Sequence, residues 1–216
     1  MRYVLGAGAH GRIVADILRS QGLPMDGFLD DDKSLHGTFV AGYPVVGGVE
    51  LLMDLIKHEV IVALGKAPLR LKLTKRFRNQ GHKLLNAIHA SAVIASSVVV
   101  GSGICVCAAA VINPDAVIGD AVIINTGATV DHDCEVGDGA HLSPGGNLAG
   151  RVKVGSLSFL GTGVSVSPRV QIGSNVIIGA GAVVISDIPD GVLAYGVPAR
   201  VIRDLSLEPI DWIRLL

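Results

Sequence analysis

Between Ile112 and Val130 the chain reads INPDAVIGDAVIINTGATV, and four of its aliphatic residues, Ile112, Ile118, Ile124 and Val130, stand six apart. Outward from this stretch the same step runs back through Val106 and Val100 to Ile94. Forward it runs through Val136, Leu142, Leu148, Val154, Leu160, Val166, Ile172 and Ile178 to Val184, so that sixteen successive positions are all Ile, Val or Leu without an insertion. Two residues before each comes a small or β-branched side chain, as at Ala92, Ala110, Ala116, Ala128, Cys134, Ala140, Gly146 and Ala182. Residues two apart share a face of a strand, so both sets point inward. Gly101, Gly119, Gly137, Gly155 and Gly173 recur at intervals of 18. Three hexads therefore close one coil, and glycine returns at one corner, where a tight turn is expected to require it. The pattern predicts a parallel β-helix of a little over five coils, a prism of short strands in which each coil covers the next.

Bulk properties agree. Half of the 216 residues are hydrophobic, aromatics are only 4%, and there are 28 glycines. That mixture suits a narrow, repetitive β core better than an aromatic-centred globule. The net charge of −1, with both signs dispersed, leaves no footprint for nucleic acid or another polyanion. Cys105, Cys107 and Cys134 lack a disulfide or zinc spacing, which predicts a reducing cytoplasm. No signal peptide is expected, because strand-like sequence begins at Tyr3. The stretch from Leu84 to Pro114 carries no Asp, Glu, Lys or Arg and imitates a membrane span. The hexads run straight through it, so no span is expected.

Residues 1–88 read differently, as a small parallel sheet with helices. Tyr3-Val4-Leu5 is a strand, followed by Gly6-Ala7-Gly8-Ala9-His10-Gly11 and a helix through Arg19 that stops at Gly22. Phe28-Leu29 forms a second strand ending in Asp30-Asp31-Asp32-Lys33. Further β segments fall near Tyr43–Val46, Val60–Leu64 and Lys83–Ile88, with helices at Val49–His58 and Leu69–Gln80. The coils occupy 89–203, and 204–216 form a tail. Gly6, Gly8 and Gly11 satisfy G-x-G-x-x-G between a strand and a helix. The hexads begin before a second mononucleotide half could fit. A half-size nucleotide-binding domain is the reading, with backbone N–H groups at the helix start facing a phosphate; a glycine turn without a ligand is the plainer alternative. Arg70, Lys72, Lys75, Arg76 and Arg78 read as a solvated helix face, with Arg70 singled out because it follows the Gly65-Lys66 strand end.

Polar side chains fit for acid–base work are scarce in the coils, yet Asn125, Asp131, His132, Asp133 and His141 fall within seventeen residues. A base with a pKa near neutrality is what an amine or hydroxyl needs to attack a thioester. A carboxylate beside an imidazole stabilises the imidazolium and raises its basicity, which casts Asp133 as the neighbour of a His132 base. Gly150 lies 18 residues past His132 and should stack on it at about 4.8 Å, one strand spacing. Its backbone N–H would then stabilise an oxyanion. Thr162 and Ala180, also 18 apart, form a column of small residues along which a pantetheine arm would lie. No Cys or Ser is placed as an acyl carrier, so direct transfer through a ternary complex is expected.

The hexads, Val130-Asp131-His132-Asp133-Cys134 and Gly196-Val197-Pro198-Ala199-Arg200 resemble the sialic-acid O-acetyltransferase-like family of bacterial hexapeptide acyltransferases. So do Gly6-Ala7-Gly8-Ala9-His10-Gly11 and Phe28-Leu29-Asp30-Asp31, and the resemblance covers nearly the whole chain. It implies a left-handed parallel β-helix behind an α/β domain, acetyl-CoA as cosubstrate without a metal, and a homotrimer with active sites between adjacent prisms. It implies His132 as base, Asp133 as its partner and Gly150 as oxyanion donor, with His141, Thr162 and Ala180 against CoA. Gly8, Ala9, His10, Asp30, Asp31 and Gly65, with Asn125 from the cluster, would hold a nucleotide sugar. Position 133 is Asp where some relatives have Glu, a shorter reach to the imidazole. N-acetylation of a nucleotide-diphosphate 4-amino-sugar is the leading expectation, and O-acetylation of a sialic acid or another sugar hydroxyl is the alternative. A metal-dependent prism enzyme would need three gathered histidines, and the coils beyond His89 offer only His132 and His141. An idle scaffold would predict no CoA binding.

Overall fold

A computed structural model describes residues 1–53 and 56–205. The hexads become strands of two residues, and each pairs in parallel with the strand 18 positions on: Ile112 faces Ile94 on one side and Val130 on the other. Three flat sheets result. The first carries Ala87–Ile88, Cys105–Val106, Ile123–Ile124, His141–Leu142, Phe159–Leu160 and Ile177–Ile178. The second carries Val93–Ile94, Val111–Ile112, Thr129–Val130, Asn147–Leu148, Ser165–Val166 and Val183–Val184. The third runs from Val99–Val100 to Gln171–Ile172. This is the left-handed parallel β-helix of the hexapeptide repeat. Both inward sets of each coil, Ala116 with Ile118 and Cys134 with Val136 among them, form one continuous core. An antiparallel hairpin, Val192–Gly196 with Ala199–Asp204, extends the first face and closes the open end of the prism.

The corner glycines have a different cause from the one expected. Left-handed backbone falls two positions later, at Gly103, Ala121, Gly139, Leu157 and Asn175. Gly101, Gly119, Gly137, Gly155 and Gly173 have ordinary φ, but a Cβ on Gly155 would enter the Gly173 carbonyl group of the next coil. Close approach between coils excludes a side chain there.

The α/β domain is built from β1 (Arg2–Leu5), α1 (Ala9–Ser20), β2 (Gly27–Leu29), β3 (Phe39–Val40), β4 (Tyr43–Gly47), β5 (Glu59–Val62), α2 (Ala67–Asn79) and β6 (Lys83–Leu84). Its sheet has the order β3-β4-β2-β1-β5-β6, parallel except for β3. Where a helix is expected over Val49–His58, the described residues form a 3₁₀ turn, Val49–Leu52, in which Leu52 alone is buried. Leu52 sits in the core with Val49 packed against it, a small apolar anchor for this turn. The segment Lys83–Ile88 divides between the two folds: Lys83–Leu84 pairs with β5, while Ala87–Ile88 pairs with Cys105–Val106. The tail read from 204 onward lies, past Leu205, outside the described residues.

The basic helix is a solvated face at Lys72, Lys75, Arg76 and Arg78, all exposed, but not at Arg70. Arg70 is buried, Lys75 pairs with Asp138 at 2.9 Å, and Arg78 pairs with Asp120 at 2.6 Å. Asp120 and Asp138 stand one coil apart on one edge of the prism, so α2 lies along that edge. On the other side of the sheet, Val14 and Ile17 of α1 share a core with Ala87, Cys105, Cys107 and Ile123 from the outer side of the first face. Cys105 and Cys107 thus owe their burial to the docking of the two domains. Cys134 points into the prism, and all three thiols are free.

Candidate active site

The corner between the second and third faces carries the acid–base pair. His132 follows the Thr129–Val130 strand, its backbone N–H donating to Asp131 Oδ1 at 2.7 Å, which Asn113 Nδ2 also reaches at 2.9 Å. The His132 ring is exposed, and its Nδ1 meets Asp133 Oδ2 at 2.8 Å. That hydrogen bond first, and the Arg151 guanidinium after it, hold the Asp133 carboxyl below the usual carboxylate range. With Nδ1 committed to the carboxylate, Nε2 is the nitrogen left to accept a proton. Gly150 lies directly beneath: a Cβ built on it would stand 2.5 Å from His132 Nε2. Any side chain at 150 would displace the imidazole. Among the described residues, the Gly150 N–H has no acceptor, which leaves it available to a developing oxyanion.

The second group forms where α1 meets the first face. Ala9, His10, Ile13 and Gly65 of the α/β domain, with Ile123, Asn125, His141, Ser143, Phe159 and Thr162 of the coils, line a cavity of about 460 Å³. His141 is only 7% exposed and packs edge-on against Phe159, one coil further, with ring centroids 5.0 Å apart. Thr126 N–H donates to Asn125 Oδ1 at 2.8 Å, which turns Asn125 Nδ2 toward His141 Nε2, 3.2 Å away. Nε2 therefore accepts, and the proton of the neutral ring sits on Nδ1, which is buried without a partner. Burial, then the Arg70 charge and His10, lower the His141 pKa to about 3. Burial and Arg70 lower His10 to about 4. A ring so desolvated, with its lone pair engaged by Asn125, is held in the neutral form.

Arg70 stands behind this cavity. Its guanidinium donates to the carbonyls of Leu64 and Gly65 (both 2.9 Å), of Ala121 (2.9 Å) and of Gly139 (2.8 Å). It joins the end of β5 to two coils and so fixes the two walls of the cavity relative to each other.

The remaining expected residues separate by role. A Cβ on Gly11 would collide with the Gly6 carbonyl, so Gly11 is required by the turn itself, whereas a Cβ on Gly8 would meet nothing within 4 Å. Gly8 caps α1 without a side-chain partner and is exposed, open for a phosphate to approach. Asp30 is engaged inside the domain: Ala7 N–H donates to its Oδ2 at 2.8 Å and Asp32 N–H to its Oδ1 at 2.9 Å. Asp31 takes the Val49 N–H at 2.9 Å. Neither lines the cavity; both shape the loops around it. Ala180 lies exposed one coil past Thr162, outside the cavity lining. Arg70, Phe159 and Arg151 had no assigned role in the sequence. Phe159 and Arg151 stand 18 residues after His141 and Asp133, so the coil period pointed to both.

A left-handed prism with a histidine–carboxylate pair over a bare glycine, joined to a nucleotide-binding type of α/β domain, defines a hexapeptide-repeat acyltransferase. Residues 3–77 match the PglD N-terminal domain family and residues 151–186 the bacterial transferase hexapeptide family (six repeats). PerB from Caulobacter crescentus, solved with CoA and GDP-perosamine, is 45% identical over 94% of this chain and 97% of its own, with a TM-score of 0.88. Two further structures of that enzyme, with one histidine replaced by Ala or Asn, hold the same two ligands. The acetyltransferase domain of PglB from Neisseria gonorrhoeae is 37% identical over 93% of this chain and 98% of its own, with a TM-score of 0.88. WeeI from Acinetobacter baumannii is 28% identical over 94% and 99%, with a TM-score of 0.84. A mimivirus protein, L142, is 33% identical over 101 residues, and the chain spans 20% of its length. The chain belongs to the sialic-acid O-acetyltransferase-like family of bacterial hexapeptide acyltransferases, in its branch with a PglD-type N-terminal domain.

Proposed function

We propose that the protein transfers the acetyl group of acetyl-CoA to the amine of a nucleotide-diphosphate-linked 4-amino-sugar, a step in surface polysaccharide or glycoprotein glycan synthesis. The His132–Asp133 pair over Gly150 carries the reading. Similarity over nearly the full length of PerB, which holds CoA and GDP-perosamine, supports the substrate class. In this mechanism the neutral amine attacks the thioester carbon while His132 Nε2 takes its proton, with Asp133 holding the imidazolium. The carbonyl oxygen becomes an oxyanion against the Gly150 N–H. The C–S bond then breaks, and the proton passes from His132 to the leaving thiolate. The nucleotide sugar enters the α/β side, with Gly8, Ala9, His10 and Gly65 at its phosphates and sugar and Asp30 and Asp31 setting the loops. Asn125 lies at its acceptor end, and so does His141, which the resemblance sets against CoA but which lines one cavity with His10 and Asn125. The pantetheine arm runs along Thr162 and Ala180.

The two halves of this site lie on different edges of one prism. Asn125 and Thr162 end the first face, and His132 begins the third; between them lies a whole face, one hexad of about 20 Å at most. A substrate seated in the cavity is therefore served by His132 of a second copy, and a closed ring of three satisfies every site. A homotrimer with active sites between subunits is the assembly this reading calls for. Free, buried thiols accord with a reducing cytoplasm, where acetyl-CoA is made. No helix among the described residues is long and apolar enough to cross a membrane.

Thiol release from acetyl-CoA, measured against a panel of UDP-, GDP- and dTDP-linked 4-amino-sugars, tests the reading. Selective turnover of one member is expected and names the acceptor. Silence across the panel with CoA binding intact would transfer the chemistry to a sugar hydroxyl.

A further inference from the structure

Asp133 serves two partners. Its Oδ2 lies 2.8 Å from His132 Nδ1 and also 3.4 Å from Arg151 Nε, and Arg151 occupies the same corner position one coil further on. The choice of residues on this edge runs against backbone preference. Asp115, Asp133, Arg151 and Arg169 all have left-handed backbone, with φ from 57° to 64°. At the corresponding corner between the first and second faces, Gly127, Gly145, Gly163 and Gly181 take the same conformation. Ala109, Ala121, Leu157 and Asn175 show that uncharged side chains are also accepted in this conformation at the other corners, whereas the His132 edge carries a charged one in four successive coils. The charged groups around the ring are Asp131 and Asp133 from its own corner, Asp115 one coil before, and Arg151 and Arg169 in the coils beyond.

We propose that Arg151 is a positioning residue for the general base: by sharing Asp133 Oδ2 it limits how strongly the carboxylate stabilises the imidazolium, and so sets the pH at which the enzyme becomes active. A carboxylate held only by the imidazole favours the charged ring; one also held by a guanidinium favours it less. Arg151 has 56% and Asp133 45% side-chain exposure, so the effect is modest, on the scale of an exposed ion pair. The inference rests on His132 as the base, and the two can be tested apart.

The experiment follows the His132 imidazole by NMR across pH, its signal assigned by its disappearance in His132→Asn, alongside the pH profile of kcat/KM. In Arg151→Gln the imidazole midpoint is expected to move up by about 0.5 pH unit, while Arg151→Lys, which keeps the cation, stays near the parent. The acid limb of kcat/KM should move with it. In an Asp133→Asn background the same Arg151→Gln change should move the midpoint by less than half as much. An unmoved midpoint in Arg151→Gln, or an undiminished shift without Asp133, overturns the proposal. A moved midpoint with an unmoved acid limb upholds the sharing of the carboxylate and removes His132 from the role of base.

Discussion

His132 and His141 are nine residues apart in the chain, yet their surroundings give them opposite characters. One ring stands in solvent against a carboxylate; the other is sealed between Asn125, Phe159 and the charge of Arg70. Replacing His132 by Asn should lower kcat by roughly two orders of magnitude or more with CoA binding retained, measured by turnover and calorimetric titration. His141→Asn should leave the acid limb of the rate profile in place and instead raise KM for the acceptor. His141 also bears on stability. Its pKa falls from 6.5 unfolded to about 3 folded, so the unfolded chain takes up the proton first as pH drops. Stability is full above about 6.5 and declines until pH nears 3; thermal melts of His141→Asn should show a shallower decline over that window. His132, Asp133 and Gly150 were legible in sequence because acid–base residues are rare in the coils and the 18-residue period stacks 150 on 132. The neutrality of His141 was not, because it depends first on burial beneath the docked domain, then on an arginine 71 positions away in the chain.

Among the elements, the coil is the most regular and the least forgiving. Gly155→Ala places a methyl against the Gly173 carbonyl group, whereas Gly181→Ala meets open space and bears only its φ of 68°. The first should cost about 3 kcal/mol and the second about 1 kcal/mol, so the melting temperature of Gly155→Ala should be clearly the lower. An unchanged Gly155→Ala would mean that the coils can spread apart there. Helix α2 shows where sequence reading fell short at this scale. Five basic residues with no acid on the same helix resemble a solvated face. Four of them are exposed, but Arg70 binds the carbonyls of Leu64, Gly65, Ala121 and Gly139, and Lys75 and Arg78 pair with the carboxylates of Asp138 and Asp120; nothing local announces which helix a prism edge will meet.

For the whole molecule, the separation of His132 from the cavity makes a strong demand. Mixing two inactive variants, His132→Asn and Ala9→Arg, the second with its cavity blocked, should restore activity in mixed trimers, since about one site in three of each draws an intact cavity and an intact His132 from different copies. Activity no higher than in either variant alone would place both halves of a site on one chain. The sequence by itself determined the coils, their core, the αβ-then-prism order and the His132–Asp133–Gly150 stack. Each of these follows from a local period of six or 18, because a helix of identical coils turns sequence spacing directly into spatial contact. Tertiary structure alone decided which groups share a cavity, that His141 is held neutral, and which partners Arg70, Lys75 and Arg78 meet. Those depend on how a non-repetitive domain docks against a repetitive one, a contact with no period to read.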